Sequence, residues 1–180
     1  MNILISGGCK NGKSGLAQEL ASRLAKGGEK YYVATMIPYD EEDRERINKH
    51  IIDRSGMGFE TLEIGSDIRR CLGQGRNGTF LIDSVTALLT NEMFSEENGW
   101  EPDPDAGKRC VDGLLDVANG AENAVFVTDY IYSDAMRYDD VTERYRASLA
   151  EIDRALAAVC DTVIELCAGN MIFHKGGPVL

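Results

Sequence analysis

An α/β fold, built on a mainly parallel sheet with helices on both faces, is what this sequence predicts. Three observations predict it. Short apolar runs alternate with amphipathic helical patterns along the chain, from Ile3-Leu4-Ile5 onward. Such alternation gives parallel strands joined by crossover helices. The first run leads directly into a glycine-rich stretch, Gly7 to Ser14, and then into a helical pattern. A later run, Thr79-Phe80-Leu81-Ile82-Asp83, ends in an acid. That acid would emerge at the carboxyl edge of the sheet, where open α/β sheets bind ligands.

Each element has its own signal. Ile3-Leu4-Ile5 reads as a buried strand. Leu16, Leu20 and Leu24, with Ala17, Ala21 and Ala25 beside them, recur at helical spacing until Lys26-Gly27-Gly28 stops the helix. Tyr31 to Ala34 is a second strand, running into Thr35-Met36. Asp40 to Arg54 is a charged surface helix with Ile47 and Ile51 on one stripe. Ser55-Gly56-Met57-Gly58 breaks it, and Phe59 to Ile64 gives a short edge strand. A brief helix is expected over Asp67–Leu72, then the strand Thr79–Asp83 and a helix carrying Val85, Leu88 and Leu89. Ser95 to Ala106 is a polar loop holding two of the four prolines and the single tryptophan, Trp100. A helix follows from about Asp105 to Ala118, then a strand from Ala124 to Asp129 that again ends in an acid. The spacing of Tyr145, Leu149, Ile152, Leu156 and Val159 predicts a long helix over roughly Asp134–Val159. Thr162–Cys167 and Met171–His174 form a terminal hairpin about Gly169-Asn170.

Residues 7 to 14, Gly-Gly-Cys-Lys-Asn-Gly-Lys-Ser, fit the P-loop pattern G-x-x-x-x-G-K-[ST] without a mismatch, between a strand and a helix. The residue types suit a polyphosphate. Gly7, Gly8 and Gly12 let the backbone approach closely and turn tightly, so that the N–H groups of Gly7, Gly8, Cys9, Lys10, Asn11 and Gly12 can surround an anion. The helix N-terminus that follows favours negative charge. Lys13 is placed to reach the β- and γ-phosphates, and Ser14 to offer a hydroxyl to Mg²⁺. Asp83, an acid after an apolar strand downstream of a P-loop, would assist the metal. The alternative is that Asp83 caps the next helix. The expected architecture is a three-layer α/β/α P-loop NTPase of the RecA-like kind, a single nucleotide-binding domain over 1–180.

The chain has 180 residues, a net charge of −11 and 43% apolar residues. That balance argues for a globular protein and against nucleic acid as a partner, which would require clustered Lys and Arg. The five cysteines form no C-x-x-C pair, and their odd number speaks against a disulfide framework. A reduced, cytoplasmic protein is expected. No signal peptide is visible, and no apolar run nears the ~20 residues that span a bilayer.

Beyond the P-loop, the chain resembles the adenosylcobinamide kinase / adenosylcobinamide-phosphate guanylyltransferase family. The likeness rests on Ile3 to Gly8 with Asn11 to Ser14, on Tyr32-Val33-Ala34-Thr35, and on Arg46-Ile47-Asn48-Lys49-His50. It continues in Phe59-Glu60-Thr61-Leu62-Glu63 and in Leu81 to Thr86 with Thr90-Asn91. The resemblance implies a two-step enzyme. A nucleoside triphosphate, ATP or GTP, first phosphorylates a corrinoid hydroxyl; GMP from GTP is then carried to that phosphate on a histidine. His50 matches that nucleophile, and a neutral imidazole is a competent nucleophile toward phosphorus. His174 reads as structural. The resemblance places nucleotide contacts on Ala34, Thr35 and Met36, on Ile51, Ile52, Asp53 and Arg54, and on Glu63 and Asp83. It also implies a homo-oligomer, a trimer, in which a neighbouring subunit helps close the site.

Three segments depart from the family pattern: Ile51 to Gly56, Asp129-Tyr130-Ile131-Tyr132 and Ala150 to Arg154. They leave two other functions open. One is a P-loop kinase for a different small alcohol or phosphate, with His50 idle. The other is a non-enzymatic GTP sensor whose loop at 95–106 meets a partner protein.

Overall fold

The computed structural model describes residues 1–178; the side chains of Arg46, Asp53 and Glu97 lie outside the described residues. Seven strands form one sheet: β1 (Asn2–Gly7), β2 (Lys30–Ala34), β3 (Glu60–Glu63), β4 (Thr79–Asp83), β5 (Asn123–Asp129), β6 (Thr162–Cys167) and β7 (Asn170–Lys175). Their order is β3-β2-β4-β5-β1-β6-β7. Every pairing among the described residues is parallel except β6–β7, the terminal hairpin. The helices are α1 (Lys13–Ala25), α2 (Glu41–Asp53), α3 (Val85–Met93), α4 (Ala106–Gly120) and α5 (Asp140–Val159), with two short 3₁₀ turns at Ile68–Gln74 and Glu96–Asn98.

The period-2 alternation of the strands divides the core into two layers. Leu4, Val33, Phe80, Ile82 and Phe126 face α3, α4, α5 and the 3₁₀ turn at 68–74. Ile3, Ile5, Tyr32, Leu81, Val125 and Val127 face Ala17, Leu20 and Ala21 of α1. The expected three-layer α/β/α arrangement is therefore present. No described residue of α2 joins either cluster. Of its expected apolar stripe, Ile47 is half-buried and Ile51 is exposed; Ile52 beside them is 72% exposed. Among the described residues no helix is long and apolar enough to cross a membrane, and all five cysteines are free.

Two expectations, the start of the last long helix and the burial of Val159, are corrected, and one alternative, Asp83 as a helix cap, is set aside. The last long helix starts at Asp140, not near Asp134. Asp139 accepts hydrogen bonds from the backbone N–H of Val141 and Thr142, which fixes the N-terminus there. The preceding segment is held outside the helix by Arg146, which donates to the carbonyls of Asp134 and Met136 and pairs with Asp134 at 3.0 Å. Val159, expected on the buried side, is exposed at the helix end. Asp83 is not the cap of α3; Ser84 is, its hydroxyl accepting from Ala87 N.

The loop at 95–106 is ordered by its own polar groups. Ser95 and Asn98 form a reciprocal capping box. Trp100 N donates to Ser95 O at 2.9 Å, Asp103 N donates to Met93 O at 2.9 Å, and Arg109 pairs with both Asp103 and Glu92.

Asp153 of α5 is buried and accepts from Tyr132 Oη at 2.7 Å. Burial pushes its carboxyl up to about 6, and Asp129 nearby adds to the rise. Below about pH 4 the carboxyl is protonated in both the folded and the unfolded chain. Between about pH 4 and 6 only the unfolded chain releases the proton, so this group lowers stability as pH rises through that window. Asp153→Asn is expected to stabilise the fold at pH 7.5 by an amount on the order of 2 kcal/mol, raising the thermal midpoint, and to flatten the pH 4–6 slope. Thermal melts of both proteins across pH 4–8 check this.

Candidate functional site

The site is built at the carboxyl edge of the sheet. β1 ends at Gly7, in register with Leu166 of β6 and Asp129 of β5. A Cβ on Gly7 would stand 2.6 Å from the Leu166 carbonyl oxygen, so the close approach of β6 requires glycine here. Gly12 turns in the left-handed region, φ 85°, and α1 starts at Lys13. Asn11 Nδ2 donates to Leu166 O at 3.2 Å and fastens the loop to β6. The open first turn of α1 presents N–H groups and the positive dipole end to the loop interior.

Lys13 bends back under this loop. Its Nζ donates to Gly8 O at 2.7 Å and to Asp129 Oδ1 at 2.7 Å. The Lys13 side chain is 7% exposed and that of Asp129 is 19% exposed. A buried ammonium needs such a counter-charge. Asp129 is positioned in turn by its backbone N–H, which donates to Thr86 Oγ1 at 3.0 Å. Sequence reasoning noted Asp129 as a strand end and as the start of a segment departing from the family pattern, and not as a site residue. The signal that could have found it was the same strand-then-acid pattern read for Asp83.

A second cluster surrounds Asp83. Glu63, Ala34 and Asp83 lie level with one another across β3, β2 and β4. Asp83 Oδ2 accepts from Tyr32 Oη at 2.8 Å. Burial first, and then Asp83, push the Tyr32 hydroxyl well above its ordinary range, so it remains a donor. The Arg54 guanidinium lies 4.1 Å from the centre of the Tyr32 ring, and its Nη2 donates to Thr61 Oγ1 at 3.0 Å. Arg54, at the end of α2, is thus the link between that helix and the sheet. Thr35 is fully buried and exchanges hydrogen bonds with the backbone of Ser84. Asn91, which the sequence did not single out as a site residue, donates to the carbonyls of Thr35 and Gly65.

The expected residues therefore fall into three groups. Gly7 to Ser14 form one loop, with Asp129 added. Asp83 and Arg54 meet at Tyr32, with Ala34 level with Asp83 and Thr35 hydrogen-bonded to Ser84 next to it, and Glu63 stands exposed at the same edge. His50 stands apart, half-buried on α2, one turn before Arg54; its ring makes no hydrogen bond to the other two groups among the described residues. Ile51 and Ile52 face outward, and the Asp53 side chain lies outside the described residues. His174 pairs with Glu165 at 2.8 Å across the hairpin. Among the described residues no three His, Cys, Asp or Glu side chains cluster as a metal cage.

A family model described as cobinamide kinase / cobinamide phosphate guanyltransferase matches residues 3–173. The chain belongs to this family. It is therefore a nucleotide-dependent transferase of cobalamin biosynthesis. Among curated proteins, the bifunctional adenosylcobalamin biosynthesis protein CobP of Pseudomonas aeruginosa is 28% identical over 184 residues, covering 99% of this chain and 100% of that protein. The bifunctional adenosylcobalamin biosynthesis protein CobU of Salmonella typhimurium is 24% identical over 181 residues, covering 94% and 97%. Among solved structures, an ATPase domain superposes with a TM-score of 0.57 at 11% identity, covering 98% of this chain and 78% of that one. A Pyrococcus horikoshii OT3 protein gives 0.54 at 12% identity, covering 97% and 86%. At such identities these structures speak for the fold alone, the P-loop α/β type expected from the sequence.

Two outcomes test this geometry. Asp129→Asn removes the carboxylate that holds Lys13 and is expected to tighten triphosphate binding about fivefold, close to 1 kcal/mol, by calorimetry. Arg54→Ala removes the link to the Tyr32 ring and is expected to make α2 cleave about tenfold faster in limited proteolysis, with a thermal midpoint changed little.

Proposed function

We propose that this chain phosphorylates the hydroxyl of adenosylcobinamide with ATP or GTP, and then transfers GMP from GTP to the product through a guanylyl-histidine at His50. The family match over residues 3–173 carries the reading, and the placement of Lys13 and Asp83 at one sheet edge supports its phosphate half.

In the first step the loop Gly7 to Ser14 would cradle the triphosphate. Lys13 would exchange one anionic partner, Asp129, for another, the β- and γ-phosphates. Ser14 and Asp83 would hold Mg²⁺, which supplies charge neutralisation between the phosphates. The corrinoid hydroxyl oxygen bonds to the γ-phosphorus as the bond to the bridging β–γ oxygen breaks. The work of the protein is positioning and electrostatic stabilisation rather than covalent chemistry. In the second step an imidazole nitrogen of His50 attacks the α-phosphorus of GTP and pyrophosphate leaves. A phosphate oxygen of the corrinoid phosphate then displaces the imidazole, which departs as a neutral base. Ala34, Thr35, Met36, Ile51 to Arg54 and Glu63 are the further nucleotide contacts in this reading.

The open apolar residues of α2, Ile51 and Ile52, support a homo-oligomer, a trimer, in which a neighbouring subunit covers the helix that bears His50. The five free thiols fit a reducing cytoplasm. A second reading, a kinase for another small alcohol, draws on one contact. Tyr132 and Asp153, from the two C-terminal segments that depart from the family pattern, hydrogen-bond to each other, so those departures act as one unit beside the P-loop strand.

Incubation with GTP labelled at the α-phosphate, then denaturation, is expected to leave acid-labile, alkali-stable label on the protein. His50→Ala is expected to lose that label and keep the kinase step; Lys13→Ala is expected to lose the kinase step. An unlabelled wild-type protein that still phosphorylates a small alcohol would replace this reading with the second.

A further inference from the structure

A cavity of about 730 Å³ opens beyond the carboxyl ends of β2 and β3, away from the P-loop. Its walls are the C-terminal half of α3, the N-terminal half of α4 and the two loops that carry Tyr39 and Trp100. Volumes of this size hold drug-sized or larger ligands.

Two large aromatic side chains guard it. Tyr39 is 57% exposed and Trp100 is 53% exposed, and their rings meet edge to face with centroids 6.1 Å apart. Ile37, also exposed, lies beside them on the rim. Leaving such apolar surface in water is unfavourable. Trp100 is moreover held at φ 65°, in the left-handed region that a bulky side chain disfavours. The reciprocal Ser95–Asn98 bonds and the Trp100 N–H to Ser95 O bond maintain that conformation. The loop is built to present an indole to this opening.

The charges of the wall decide what it can hold. Its two cations among the described residues are already engaged: Arg109 with Glu92 and Asp103, Arg69 with Asp67 and Asp116. Four lining acids, Asp67, Glu92, Glu96 and Asp103, face those two arginines. A second nucleoside triphosphate would meet net negative charge here and, among the described residues, no free cation. A broad ring system with an apolar face, a rim of amides and no phosphate meets none of these penalties. Its amides would find carboxylate acceptors, and its face would find Tyr39 and Trp100.

We infer that this cavity seats the corrin ring of the acceptor, with Tyr39 and Trp100 covering one face. The inference rests on the cobinamide reading proposed above. It also places donor and acceptor along one sheet edge: Ile37 of the rim lies two residues beyond Thr35, whose N–H donates to the carbonyl of Asp83.

The test is steady-state kinetics of corrinoid phosphorylation with the full chain and the variants Tyr39→Ala, Trp100→Ala and Trp100→Phe, each checked for an unchanged thermal midpoint. Both alanine variants are expected to raise KM for adenosylcobinamide about tenfold or more while KM for the triphosphate stays as in wild type; Trp100→Phe, which keeps a ring, is expected to recover most of the loss. Corrinoid turnover with KM unchanged in Tyr39→Ala and in Trp100→Ala would overturn the seat alone. Triphosphate binding by the wild type with neither binding nor turnover of adenosylcobinamide would overturn the cobinamide reading, and the seat with it.

Discussion

A lysine ammonium with so little exposure must have a counter-charge, and the arrangement around the P-loop follows from that requirement. The Lys13–Asp129 pair at 2.7 Å meets it. It does so because β5 runs between β1 and β4, which sets an acid beside the lysine in place of the more distant Asp83. Thr86, near the start of α3, then fixes the backbone of Asp129. An internal carboxylate therefore stands against the lysine of the glycine-rich loop. Two strands and two helices share in that single ion pair.

Much of this was legible in the sequence because much of it is local. The P-loop is eight consecutive residues between a strand and a helix, and every strand except the edge strand β3 carried its own apolar run. The parallel sheet and the terminal hairpin follow from alternation and from one Gly-Asn pair. What was not legible depends on strand order. Nothing along the chain says that Asp129, more than a hundred residues after Lys13, will neighbour it; only the placing of β5 next to β1 does. Arg54 read as part of a charged helix, yet it is buried on Tyr32 because α2 has no other purchase on the sheet among the described residues. The start of α5 was misplaced for a similar reason: Asp134 and Asp139 are both acceptable caps, and the tertiary hold of Arg146 on the intervening segment decides between them. The loop at 95–106 read as a polar loop without internal structure, because its order comes from a capping box too short to register as an element.

The two ends of the sheet edge differ in how firmly they are built. The P-loop side is braced by β6, whose Leu166 carbonyl touches both the Gly7 turn and Asn11. The α2 side rests on one stacked guanidinium and one hydrogen bond to Thr61. A phosphate cradle gains from rigidity, because misplaced dipoles stabilise a transferring group poorly. In the proposed reading His50 meets both a nucleotide and an acceptor phosphate, and a lighter tether on α2 would favour that. The contrast between the two ends suits two consecutive transfers with different geometric demands.

The neighbours of β1 carry a consequence for how the protein is made. β1 is translated before the other six strands of this sheet, yet both strands that flank it, β5 and β6, begin after residue 120. Synthesis at roughly 5–20 residues per second leaves this apolar run and its glycine loop without partners for several seconds. α1, β2 and β4 can gather meanwhile, but the central gap in the sheet closes only when the C-terminal third arrives. High contact order of this kind slows folding and prolongs exposure of an unpaired strand edge. Of the seven strands, the one that comes first in the chain waits longest for its partners, so truncations in the final third would expose an aggregation-prone strand edge as well as shorten the sheet.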